Sequence, residues 1–173
     1  MKEFSGRALF LDKSDINTDE IIPAKYLTEN TKEALKPHVL EDLHLDGFDA
    51  GKDVPGKSII VTKSNFGCGS SREHAVWVFE VNGINVIIAE SFSRIFRQNM
   101  YNCGMLAIEL PGEDIAALFD LGPDATITVD MAQNLISAEN QQGNTISISF
   151  AMNEFDRELV ITGGWLVYAD KKY

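Results

Sequence analysis

The sequence predicts a single α/β domain spanning 1–173, with a parallel core sheet and an additional antiparallel β region. Two observations carry this. Between Ser58 and Leu110 short apolar runs alternate with helical patterns, the order that parallel strands with crossover helices require. After Pro111 the pattern changes to short alternating strands separated by turn residues. Hydrophobic residues make up 45% of the 173, enough for a substantial core.

The elements follow in order. Gly6 to Leu11 reads as a strand ending in the polar turn Asp12-Lys13-Ser14-Asp15. Asn17-Thr18-Asp19-Glu20-Ile21-Ile22 precedes Pro23, which disfavours helix at Ile22, so extended backbone or an ordered loop is expected. Thr31 to Leu45 is helical in pattern and divided by Pro37. Asp46 to Lys57, rich in Gly, Asp and Pro, reads as a loop. Ser58 to Thr62 is a buried strand, followed by the turn Asn65-Phe66-Gly67-Cys68-Gly69 and a helix from about Ser71 to Val81. Val86 to Ala89 is the next strand, and Ser91 is placed to cap a helix reaching Asn102. Met105 to Leu110 is a third strand, and a short helix spans Glu113 to Asp120. Ala125 to Val129, Leu135 to Ala138 and Thr145 to Phe150 are antiparallel strands, with a turn at Gln142-Gly143-Asn144. Asn153 to Ala169 is helical in pattern, broken at Gly163-Gly164.

Composition excludes several functions. A net charge of −11 argues against nucleic acid, whose phosphates are bound mainly by Lys and Arg. It leaves room for a small anionic substrate held by a local Arg. No apolar run approaches the ~20 residues of a membrane helix. Met1-Lys2-Glu3-Phe4 has no apolar signal core, so a soluble, cytoplasmic protein is expected. The two cysteines, Cys68 and Cys103, lack metal-site spacing and are too few for a four-cysteine cluster. Free thiols suit a reducing compartment; a disulfide is the less favoured alternative.

Chemistry concentrates in Asn65-Phe66-Gly67-Cys68-Gly69-Ser70-Ser71-Arg72-Glu73-His74-Ala75. This segment lies between a strand and a helix, where α/β folds place ligands. Two hydroxyls and a guanidinium near a helix N-terminus make an anion site with a hydroxyl beside it. A structural reading competes with this, because Ser70 and Glu73 have the spacing of a helix capping box. The glycines match neither the dinucleotide fingerprint nor the P-loop. Ser70 and His74 lack the third group that a catalytic triad needs.

The same segment resembles the signature of the swivelling domain of the aconitase superfamily. Two further segments agree in order and spacing: Asp15-Ile16-Asn17-Thr18-Asp19-Glu20-Ile21-Ile22-Pro23-Ala24-Lys25-Tyr26-Leu27, and Ile88-Ala89-Glu90-Ser91-Phe92-Ser93-Arg94-Ile95-Phe96 continuing through Asn99 and Asn102 to Gly104. The ending Gly163-Gly164-Trp165-Leu166 is similar to small-subunit members, so the resemblance spans essentially the whole chain. It implies a fold of β/β/α layers. It implies a hydro-lyase of the isopropylmalate-isomerase type, which moves a hydroxyl between adjacent carbons of a small hydroxy-diacid. It also implies a [4Fe-4S] cluster as Lewis acid, held by the cysteines of a large subunit and not by this chain. Ser70 would be the catalytic base, and Ser71 and Arg72 would bind substrate carboxylate. An alkoxide at Ser70 needs stabilisation, which helix amides and a nearby cation supply in a preorganised site.

In related subunits the segment after Pro-Ala-Lys/Arg reads the variable side group of the substrate. Here Tyr26, Leu27 and Thr28 are the implied contacts, followed by Glu29. Members that take tricarboxylates carry an Arg in this loop. Thr28 and Glu29 leave a third carboxylate without a partner, which favours isopropylmalate over homoaconitate. Dimethylmalate and methylmalate or citraconate remain alternatives, since a methyl group discriminates by only about 1–3 kcal/mol. Helix entry is the structural alternative for this loop. Asp19 is either a support for the site or a turn residue. Arg94 is either an ion-pair partner near the site or a surface residue. His74 is expected to make a structural hydrogen bond, His38 and His44 to be solvated, and Trp165 to lie in the core or an interface. A non-catalytic binding module is the opposing class, but it would have been free to lose Ser70 and Arg72, and both are present.

Overall fold

A computed structural model describes residues 2–173. Strand β1 (Ser5–Leu11) leads into a four-residue helix α1 (Thr18–Ile21), then helix α2 (Lys32–Leu35) and helix α3 (Ala50–Asp53). The alternating core follows as β2 (Lys57–Thr62), α4 (His74–Val81), β3 (Val86–Ala89), α5 (Arg94–Asn102) and β4 (Leu106–Glu109). Helix α6 (Gly112–Asp120) precedes β5 (Thr126–Asp130), β6 (Leu135–Glu139) and β7 (Thr145–Ser149). Helices α7 (Glu154–Thr162) and α8 (Trp165–Lys172) end the chain.

The parallel and antiparallel regions are two halves of one seven-stranded sheet, ordered β4-β3-β2-β1-β5-β6-β7. β1 is the seam: it pairs parallel with β2 and antiparallel with β5. In β3 every residue is buried, as parallel strands covered on both faces require. In β5 buried and exposed residues alternate strictly, so that half of the sheet keeps one open face. Phe10 of β1 meets Phe119 of α6 edge to face at 5.1 Å.

Three local expectations are corrected. The Asn17–Ala24 segment is not extended throughout, because Asn17 and Glu20 form a capping box that nucleates α1. Asn17 Oδ1 accepts from the Glu20 amide at 2.9 Å, and Glu20 Oε1 accepts from the Asn17 amide at 3.0 Å. Pro23 acts one residue later, with Ile22 already extended at φ −146°. The expected loop from Asp46 to Lys57 contains α3, where Asp49 caps the Gly51 amide at 3.0 Å. Pro37 does not divide two α-helices but sits in a 3-10 turn over Lys36–His38, directly after α2.

At the C-terminus Gly163 adopts a left-handed φ of 101° and ends α7, as the paired glycines predict. Trp165 is 43% exposed and stacks on Tyr168, so it is not a core residue. No helix among the described residues is long and apolar enough to cross a membrane.

Candidate active site

The Asn65–Glu73 loop leaves the carboxyl end of β2 and is laced to both neighbouring segments by its backbone. On one side the Gly67 amide donates to Ile16 O at 2.8 Å, and the Thr18 amide donates to Cys68 O at 2.9 Å. On the other side the Phe66 amide donates to Ser91 O at 3.0 Å, and the Ser93 amide donates to Phe66 O at 2.9 Å. Asn65 joins all three: its side chain donates to Asp15 Oδ1 and its amide to Ser91 Oγ, each at 2.8 Å. The three separated sequence motifs therefore meet at one place. Phe66 anchors the loop from below, fully buried against Phe79, Phe92 and Phe96.

Two glycines make this approach possible. Gly67 has φ +80°, and a Cβ there would lie 2.3 Å from Phe96 Cγ. Gly69 has φ +96°, and a Cβ would stand 3.4 Å from Thr18 Oγ1. Above them opens a cleft of about 20 Å³, lined by Thr18, Ser70, Ser71, Arg72, Ser93 and Asn99 among others. It holds about one water-sized group and no whole hydroxy-diacid.

Helix α4 begins at His74, later than the Ser71 expected, and its N-cap Glu73 makes no side-chain capping bond. The Ser70–Glu73 capping box is not formed. The reason is geometric: the loop is pinned through Cys68 and bends at Gly69 and Ser70, so Ser70 lies outside the turn that a cap must close. Ser70 and Ser71 are both exposed. The competition between capping and chemistry at Ser70 is thereby removed, and so is the direct help of the α4 amides. Ser91 is likewise not the cap of α5; Ser93 is, without a side-chain bond, while Ser91 Oγ serves Asn65.

Arg72 lines the cleft with its side chain only 11% exposed. Its Nη1 donates to Asp19 Oδ1 at 2.6 Å and to Ile22 O at 3.3 Å. Asp19, 66% exposed, thus orients the guanidinium from the solvent side. A guanidinium has five N–H donors, so donors remain for an incoming carboxylate. His74 makes its expected hydrogen-bonded contact, Nε2 to Glu29 O at 3.3 Å.

Tyr26, Leu27 and Thr28 lie outside the lining of the cleft. Tyr26 ends a 3-10 turn over Ala24–Tyr26; its ring stacks on His38 with centroids 3.8 Å apart, and its hydroxyl donates to Glu41 at 2.9 Å. His38 is therefore not simply solvated, since its Nδ1 also meets Glu41 at 2.9 Å. His44 is exposed as expected. The Arg72 bond to Ile22 O and the His74 bond to Glu29 O tie both ends of this segment to the serine loop. Arg94 is exposed at the start of α5; its neighbours Ser93 and Ile95 line the cleft and it does not.

Thr18, Ser93 and Asn99 were not among the expected site residues. Ser93, the N-cap of α5, and Phe96 and Asn99 within it recur every three positions, a helical spacing that marks one face. Thr18 carries no such signal, because its place under Gly69 depends on a long-range backbone bond.

The donor set for an iron-sulfur cluster is poor. Among the described residues no three His, Cys, Asp or Glu side chains converge on a metal site. Both thiols are free. Burial, followed by the negative charge of Asp15, pushes the Cys68 thiol up, and burial pushes Cys103 to about 11. The described residues of this chain offer no donor set that fits a cluster.

Known proteins resemble this chain along most of its length. The family model for the aconitase C-terminal domain matches residues 2–113. The 3-isopropylmalate dehydratase small subunit of Pseudoalteromonas translucida is 36% identical, over 92% of this chain and 84% of its own length. The protein of the same name from Deinococcus deserti is 38% identical, over 90% of this chain and 81% of its own. A crystal structure of 3-isopropylmalate dehydratase from Methanocaldococcus jannaschii superposes with a TM-score of 0.78 at 30% identity, covering 98% of this chain and 94% of that one. Aconitase relatives are associated with an iron-sulfur cluster, and a small subunit implies a larger partner. Three separated motifs brought to one cleft, a matching family model and close relatives along nearly the whole chain have one explanation: the chain belongs to the aconitase C-terminal domain family, among its 3-isopropylmalate dehydratase small subunits.

Proposed function

We propose that this chain is the small subunit of a cytoplasmic hydro-lyase that interconverts 2-isopropylmalate and 3-isopropylmalate by dehydration and rehydration, in leucine biosynthesis. Residues 1–173 act as one domain, and a large subunit holds the [4Fe-4S] cluster. The observation that carries the reading is the cleft at which exposed Ser70 and Ser71 stand beside the oriented Arg72. It is too small for the substrate, which suits a site completed by a second chain.

Within that site Ser70 takes the carbon-bound proton and returns it on rehydration. Its alkoxide is stabilised by the nearby Arg72 cation once water is excluded, since charge interactions strengthen in a dry, preorganised site. Ser71 and the remaining N–H donors of Arg72 hold a substrate carboxylate. Asp19 and His74 support these groups, through the Arg72 ion pair and the Glu29 carbonyl. Tyr26, Leu27 and Thr28 read the alkyl side group; the two bonds that join Ile22 and Glu29, on either side of them, to Arg72 and His74 support this reading.

Substrate choice is tested with Thr28→Arg in the reconstituted pair. Isopropylmalate is expected to be the preferred substrate of the parent over homoaconitate and methylmalate. The new cation should shift the ratio of specificity constants by about 10-fold or more toward the substrate with a third carboxylate. An unchanged ratio removes Tyr26 to Thr28 from the pocket. A parent that prefers homoaconitate or methylmalate replaces isopropylmalate as the substrate.

A further inference from the structure

Thr18 presents a buried hydroxyl with nothing to bond to. The residue is 2% exposed, and Oγ1 has no hydrogen-bond partner among the described residues. A buried hydroxyl without a partner is costly, so such groups are rare in folded proteins. The position is not slack. Thr18 is held by the hydrogen bond its backbone N–H donates to Cys68 O, and its Oγ1 lies against the face of Gly69 where a side chain would otherwise be. That face opens into the cleft containing Ser70, Ser71 and Arg72.

We propose that Thr18 Oγ1 is a substrate-binding group, donating a hydrogen bond to the carboxylate that Ser71 and Arg72 hold. This rests on the functional reading above. The chemistry fits a carboxylate oxygen: the cleft accommodates about one such group, Arg72 supplies the counter-charge, and a hydroxyl proton free to rotate supplies a further donor.

The test compares Thr18→Val, which keeps the shape and removes the hydroxyl, with Thr18→Ser, which keeps the hydroxyl. Melting curves of the chain and steady-state kinetics of the pair on isopropylmalate are measured. Thr18→Val should melt at or above the parent temperature, because an unpaired polar group has been removed, while KM rises about tenfold. Thr18→Ser should restore most of the affinity. Should the valine fail to fold, Thr18→Ala provides the same comparison. An active pair whose KM is unmoved by loss of the hydroxyl overturns the assignment alone. Equal KM increases in the serine and valine variants would show that the methyl group matters and would also overturn it. A lowered kcat with a shifted pH profile and constant KM would place the hydroxyl on Ser70 instead of the substrate. A parent pair inactive on every hydroxy-diacid would sink the functional reading, and this contact with it.

Discussion

Ser70→Ala is expected to lower turnover of the reconstituted pair by about 10²–10⁴-fold, the range for loss of a general base. The fold should be almost untouched. Ser70 is exposed and α4 is not capped by it, so the alanine should cost no more than about 0.5 kcal/mol. The two expectations together separate chemistry from structure. A capping serine would cost about 0.5–2 kcal/mol on mutation to alanine, and aspartate would rescue it. Ser70→Asp should instead remain folded and inactive, since a carboxylate has the wrong geometry and repels the substrate anion. Thermal melts and single-turnover rates decide the matter. Near-parental turnover in Ser70→Asp would return Ser70 to a structural role and send the search for a base elsewhere.

Arg72→Lys should lower kcat/KM by about 100-fold with a larger effect on KM than on the melting temperature. The planar fork that can serve Asp19, Ile22 O and a carboxylate at once is replaced by a point charge on a flexible stem. Each hydrogen bond to a charged group is worth about 1.5–3 kcal/mol, so loss of a bidentate contact is felt strongly. Stability should change little, because Asp19 is 66% exposed and water takes over its solvation. Unchanged KM in a folded Arg72→Lys pair would show that the carboxylate is held by other groups.

Much of the fold was legible because its signals are local. The consecutive apolar residues of β2 and β3 announce burial on both faces, and the alternation in β5 and β6 announces a half-covered sheet. What was missed depends on partners remote in sequence or on competing local rules. At Asn17 the capping box overrode the influence of Pro23. At Ser70 the spacing of a capping box was present, but tethers from Cys68 and Gly67 kept the loop from closing it. That the two parts form one sheet follows from β1 pairing with both β2 and β5, a long-range choice that periodicity does not encode. In the candidate site, Ser70, Ser71, Arg72 and Asp19 do come together. Thr18 escaped notice because its meaning lies in a missing hydrogen bond, which only three dimensions reveal.

In the proposed function this chain supplies one half of a site whose other half, with the cluster, resides on a larger partner. Its most direct test follows the absorbance of the unsaturated dehydration product formed from isopropylmalate. The assay uses the purified chain, an iron-sulfur large subunit, and their mixture. The chain alone is expected to be colourless and inactive, and the mixture to dehydrate isopropylmalate. Robust dehydration by the chain alone, without iron, would contradict it.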